Sequence, residues 1–175
     1  GEQSWDETIQ QWMLPAGDDS EPPTLCAAAL AQTADGAFYA AAPTESEQGW
    51  ALMFKDDHEE TVLKDDGTEE KVTINEASTL KEVCEMPSMD VRPKYGLWIG
   101  GKKFTLTQMK QVSCTEGDQE MTVIVGACKD KTGVVIVRLT TQVLVGMFDE
   151  NKGQKLGNAT TTTTTFGEYL IGLGY

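Results

Sequence analysis

One histidine, four scattered cysteines and only 14 basic residues among 175 are the scarcities of this sequence, and each removes a class of chemistry. A Ser-His or Cys-His dyad would depend on His58 alone, which sits in an acidic stretch and is expected to face solvent. No G-x-S-x-G and no H-E-x-x-H occurs, and Gly100-Gly101-Lys102-Lys103 lacks the spacing of a phosphate loop. Asp149, Asn151 and Gly153 resemble the start of a calcium loop, but Gln154 stands where its glycine belongs and Thr160 where its last glutamate belongs. Asn158-Ala159-Thr160 is formally a glycosylation sequon, without meaning in a cytosolic chain. Cys26, Cys84, Cys114 and Cys128 are 58, 30 and 14 positions apart with no C-x-x-C. They read as reduced thiols, at least two of them in the core, and not as a zinc or disulfide framework. The expectation is a non-enzyme without metal or cofactor.

Long apolar runs are also missing. None approaches the roughly 20 residues that a membrane span requires. The start, GEQSWDET, has neither the basic nor the apolar part of a signal peptide, so the expected location is cytoplasmic. With 28 acids against 14 bases the net charge is −14, which disfavours a nucleic-acid binder. The imbalance is uneven. Residues 1–91 carry 21 acids and 4 bases, whereas 92–155 carry 6 acids and 10 bases. The later segment is therefore able to form a locally positive face, although a merely solvated surface has the same composition. Apolar residues are 39% of the chain, enough for the core of one domain spanning 1–175.

Periodicity supplies the elements. Ser4-x-x-Glu7 is a capping box, and Trp5, Ile9, Trp12 and Met13 fall on one helical face that Pro15 ends. An acidic, proline-containing loop at 16–24 precedes CAAALAQ, an Asp35-Gly36 turn and AFYAAA, which read as a hairpin. GWALMF at 49–54 suits a short helix. Residues 55–70 hold eight acids and two lysines around Asp66-Gly67, a projecting acidic hairpin over about 56–73 that is not expected in the core. Asn75 caps a second helix with Ala77, Leu80, Val83 and Cys84 as its buried stripe. Strands are expected at 97–99, 103–109, 120–128, 134–139 and 142–148. Gly100-Gly101, Glu116-Gly117-Asp118 and Lys131-Thr132-Gly133 supply turns between them, which implies an antiparallel meander. A helix over about 158–172 closes the chain, with Phe166, Tyr169, Leu170 and Leu173 as its stripe, despite six threonines at 160–165. The fold class is α+β, a central antiparallel sheet with the N- and C-terminal helices on one face and smaller helices on the other.

If the terminal helices pack together, Trp5, Tyr39, Tyr169 and Tyr175 line one surface groove, while Trp12 is expected to complete the core. Aromatic grooves accept proline-rich segments, which are already extended and lose little entropy on docking.

These features resemble the profilins, in particular those of apicomplexan parasites and their relatives. The likeness rests on SWD at 4–6, DGAFYAAA at 35–42, GW at 49–50, KDDHEE at 55–60, INEAST at 74–79, LWIGGKK at 97–103, FDENK at 148–152, GN at 157–158 and the F-x-EYL…GY ending. It implies a monomeric, cytoskeleton-associated, actin-monomer-binding protein with a separate site for proline-rich segments such as those of formins. By position that site would be Trp5, Tyr39, Tyr169, Leu170 and Tyr175. Thr8 departs from the aromatic residue many profilins place three after the first tryptophan, which should weaken it. The actin face would include Lys102, Lys103, Lys129, Lys131, Arg138, Lys152 and Asn158. The acidic hairpin would be an insertion that animal and plant profilins lack. Alternative roles are a released effector recognised by a host innate immune receptor and a phosphoinositide-binding adaptor; the charge of −14 counts against the second.

Overall fold

The computed structural model of the protein describes residues 4–14, 24–44, 48–113 and 120–175; Pro15, most of the 16–24 loop, Cys114 and the Glu116-Gly117-Asp118 turn lie outside the described residues. The first helix, α1 (Trp5–Met13), begins as its capping box requires, with Ser4 Oγ accepting from the Glu7 amide. Its buried side chains are Ile9 and Met13, one turn apart. A hairpin follows, β1 (Ala27–Gln32) and β2 (Phe38–Ala42), and then the short α2 (Gln48–Met53). The alanines that weaken the strand signal are buried along both strands.

The meander comprises β5 (Leu97–Ile99), β6 (Lys102–Ser113), β7 (Glu120–Ala127), β8 (Thr132–Arg138) and β9 (Gln142–Asp149). It joins β1 and β2 in a seven-stranded sheet of order β2-β1-β9-β8-β7-β6-β5, antiparallel throughout. Alternation sends Val135, Val137 and Leu144 to one face and Val134, Ile136, Val143 and Val145 to the other. Both faces are covered. The first lies under α1 and the last helix, α4 (Leu156–Gly172), through Ile9, Met13, Ala159, Phe166 and Leu170. The second lies under α2 and α3 (Glu76–Cys84), through Met53, Leu80 and Val83.

The acidic stretch forms a separate two-stranded antiparallel sheet, β3 (His58–Leu63) paired with β4 (Glu69–Ile74). Most of it is exposed, but its base is not: Ile74 is buried and the His58 side chain is only 8% exposed, and Val62, near the turn, is buried as well. The expectation of a solvent-facing His58 is therefore wrong. Both ring nitrogens face carboxylates, and the ring lies edge-on to Trp98. The stripe of α3 also differs. Leu80 and Val83 are buried as expected, but Ala77 and Cys84 are half-buried, and Glu76 and Thr79 take the buried places. Glu76 enters the interior because its carboxylate accepts from the amides of Lys55, Gly100 and Gly101. Two positive-φ glycines make the turn that points those last two amides inward. The described thiols, Cys26, Cys84 and Cys128, are half-buried at the rim of the second core, so none occupies the core interior that two were expected to reach. Burial pushes the Cys84 thiol up to about 11.

The threonine run is helical in full. Each hydroxyl from Thr160 to Thr165 donates to the carbonyl four residues earlier, which satisfies the hydroxyls without leaving the helix. Six threonines in place of alanines cost roughly 3–4 kcal/mol in propensity. Burial of Phe166 and Leu170 returns about 3–6 kcal/mol, which offsets that cost.

Candidate functional site

Two surfaces bear the side chains singled out in the sequence. The first is aromatic and is built by the terminal helices. Trp5, Thr8 and Trp12 follow one another at helical spacing along α1. Trp12 stacks on Tyr169 of α4 with ring centres 4.3 Å apart and planes at 22°. Phe166 stacks behind Trp12 at 5.8 Å, fully buried, and anchors the pair. Beyond the end of α4 the chain folds back, with the Tyr175 amide donating to the Leu170 carbonyl. Tyr175 then meets Trp5 edge to face at 5.6 Å. Tyr39, on β2, donates its hydroxyl to Gln142 Oε1. Burial, and then the neighbouring Tyr175, raise the Tyr39 phenol above the ordinary range.

Trp12, Tyr39 and Tyr169 are 38%, 38% and 37% exposed, which is unusual for large rings beside a core. Trp12 is thus a correction: it lies at the surface and not in the core. Leu170 is a second correction. It is wholly buried beneath α4 and offers nothing to a ligand. The i, i+7 spacing of Trp5 and Trp12 was the signal that could have paired them. Thr8 sits between them with its hydroxyl turned back to the Ser4 carbonyl.

The second surface is cationic and is gathered at one end of the sheet. The β7–β8 turn meets the 3-10 turn at Glu150–Lys152, where the Glu150 amide donates to the Lys131 carbonyl and Asn151 Nδ2 to the Asp130 carbonyl. Lys129, Lys131 and Lys152 are exposed there, and Asn158 is exposed on the first turn of α4 nearby in the chain. Lys102 joins them through an ion pair with Asp130 at 2.8 Å, which holds the Asp130 carboxyl well below its usual range, Thr132 adding to the effect. The remaining two residues are elsewhere. Lys103 falls on the opposite face of β6 from Lys102, its stem against Gly96. Arg138 lies at the far end of β8, roughly 20 Å from the turn. Its guanidinium donates to the Cys84 and Met86 carbonyls and to Thr122 Oγ1, which makes it a cap for the end of α3.

The chain is similar to known proteins. A family model described as Profilin matches residues 3–175. The chain is 29% identical over 176 residues to a profilin of Plasmodium falciparum (isolate 3D7), covering 97% of this chain and 95% of the relative. It is 28% identical over 178 residues to a profilin of Plasmodium berghei, covering 97% and 94%. Among solved structures, Acanthamoeba castellanii profilin IB matches with a TM-score of 0.59 at 17% identity, and profilin II with 0.60 at 16%, each over 98% of this chain and 100% of that one.

Proposed function

From the premise that this chain belongs to the profilin family, a non-enzymatic actin-binding family, we propose that it binds one actin monomer through the Lys129–Lys131–Lys152 end of the sheet and proline-rich segments through the aromatic row. Family membership implies actin-monomer binding as such. The assignment of surfaces is ours. The observation that carries it is that the terminal helices bring Trp12 onto Tyr169, both exposed, and Trp5 onto Tyr175, both half-buried, on elements other than the cationic turns. Two separate surfaces allow actin and a proline-rich segment to be held at once. Actin is acidic, so the cationic end speeds encounter and fixes orientation more than it adds affinity. Flat rings with a polar edge suit a polyproline helix, whose carbonyls have no neighbouring N–H to compete for a donor.

On this reading residues 1–175 act as one profilin domain in the cytoplasm, and residues 56–73 are an acidic insertion carried on that frame. Formin-like proline-rich segments are the expected second partner. Thr8 leaves a gap between Trp5 and Trp12, so affinity for polyproline falls in roughly the 10 μM to mM range. The test is paired. Monomeric actin is titrated with the protein at low and high salt, and a proline-rich peptide is titrated while tryptophan fluorescence is followed. A 1:1 actin complex weakened by salt, together with a saturable fluorescence change, is the expected result. No actin complex at low salt overturns the cationic assignment. No saturable change at millimolar peptide overturns the aromatic one.

A further inference from the structure

At the base of the two-stranded acidic sheet a buried imidazole meets the body, beside the buried Ile74. His58 opens β3, and its Nδ1 lies 2.8 Å from Glu60 Oε1 while its Nε2 lies 3.1 Å from Glu76 Oε2. Its side chain is 8% exposed and that of Glu76 2%. A carboxylate only accepts hydrogen bonds, so both ring nitrogens must donate for both contacts to be favourable. A neutral imidazole has one N–H and one lone pair, and the lone pair would then face a carboxylate oxygen. The Glu76 carboxyl oxygens also accept from the amides of Lys55, Gly100 and Gly101.

We propose that His58 is a protonation-controlled latch, which fastens the acidic hairpin to the start of α3 when the ring carries two protons and loosens it when the ring is neutral. Every group facing the ring is consistent with this. Glu60 comes from β3 and Glu76 from α3. Asp57, just before β3, is held by Asn75 Nδ2, and Lys55 meets Glu76 through its backbone while its side chain lies over Gly101. Trp98 of β5 presents an uncharged ring, and Ile74 opposes His58 in β4 without a charge. Carboxylates therefore outnumber cations around the ring. Only the ring with two N–H groups can donate to both carboxylates, so the charged ring fastens the hairpin and the neutral ring releases one of the two contacts.

The latch has something to control. A cleft of about 790 Å³ separates the hairpin from the 92–106 segment, with Leu63, Asp65 and Glu70 on one wall and Arg92, Tyr95 and Lys103 on the other. The hairpin hangs beside it, and the salt bridge within the hairpin, Lys64–Glu70 at 3.8 Å, does not cross it. Loosening the base changes how the acidic wall stands against the basic one.

The experiment is hydrogen exchange on the full chain at about pH 6 and about pH 8, corrected for intrinsic exchange, with ring nitrogen shifts of His58 measured in parallel. Peptides covering β3 and β4 are expected to lose protection by roughly tenfold on going to the higher pH, as fits the loss of one charge-assisted hydrogen bond. Peptides covering β7 and β8 serve as the internal control. In His58→Gln the hairpin should exchange at the faster rate at both pH values. In Glu60→Gln, where an amide can meet a neutral ring, the pH effect should shrink while the fold is kept. Ring nitrogens with imidazolium shifts at the lower pH complete the expected result. Equal hairpin protection at both pH values in the wild type, an undiminished pH effect in either variant, or a neutral ring at the lower pH overturns the latch.

Discussion

Arg138 shows how one side chain can change the meaning of an experiment. Its charge and its place in a basic segment nominate it for the actin surface, yet its guanidinium is spent on two carbonyls beyond α3 and on Thr122. Hydrogen bonds from a charged donor are worth about 1.5–3 kcal/mol. Arg138→Glu is therefore expected to lower the midpoint of unfolding markedly, measured by chemical denaturation, whatever it does to actin. Lys129→Glu with Lys131→Glu is the cleaner probe. Both side chains are exposed, so stability should stay within about 0.5 kcal/mol while actin association slows at low salt and converges with wild type at high salt. The thiol of Cys84 offers a second check. Its ordinary value of 9.0 is pushed up to about 11 by burial, opposed by Arg138. At pH 8 the thiolate fraction is about a hundredfold lower than in the unfolded chain. Alkylation of Cys84 at pH 8 should therefore be slower in the native protein than in the unfolded chain. The sign for stability is that folding favours the protonated thiol, so this contribution holds below pH 9 and fades as pH rises towards 11.

Helix α4 shows two effects of opposite sign on neighbouring elements. Gly157, in its first turn, has nothing within 4 Å of where a Cβ would stand. Gly157→Ala should stabilise by about 0.5–1 kcal/mol through propensity alone. Gly146, on β9 under the same helix, is the contrary case. A Cβ there would stand 2.7 Å from Thr163 Oγ1 and 3.1 Å from the Leu25 methyls. Thr163 is fully buried and its hydroxyl is bonded to the Ala159 carbonyl, so it has nowhere to retreat. Gly146→Ala should cost about 1–3 kcal/mol, read from thermal or denaturant unfolding. The pair of variants separates the helix's own preferences from its seating on the sheet.

The acidic hairpin is a second, smaller sheet whose attachment to the rest is local. Its strands are exposed on alternate residues, but Ile74 and His58 reach inward at its base. A cut that spares the base should differ from one that removes it. Replacing residues 64–68 with a shorter turn is expected to leave the thermal midpoint within a few degrees, while replacing 56–73 lowers it further by exposing Glu76 and Trp98. Cooperative unfolding of the sheet should survive both, because the seven strands bury both faces without the hairpin. The same layering explains why the terminal helices control the aromatic row. They share one core with β7, β8 and β9, so the exposed rings rest on a fully buried layer.

The α+β class, the capping box of α1, the Asn75 cap, the meander and the acidic hairpin were all legible in the linear chain, because each rests on local spacing: a cap three residues from its partner, a period of two, a turn pair. Of the aromatic side chains singled out in the chain, Trp5 and Tyr175 meet in the structure, while Tyr169 stacks on Trp12. The misplacements have one physical origin. Trp12 as surface, Leu170 as core, Arg138 as a cap and His58 between two carboxylates depend on which residues from distant segments meet them, and composition carries no record of that. Glu76 makes the point most sharply. A glutamate at the start of a helix reads as exposed, and only the turn at Gly100-Gly101, brought back to it by the sheet, supplies the amides that let a carboxylate be buried.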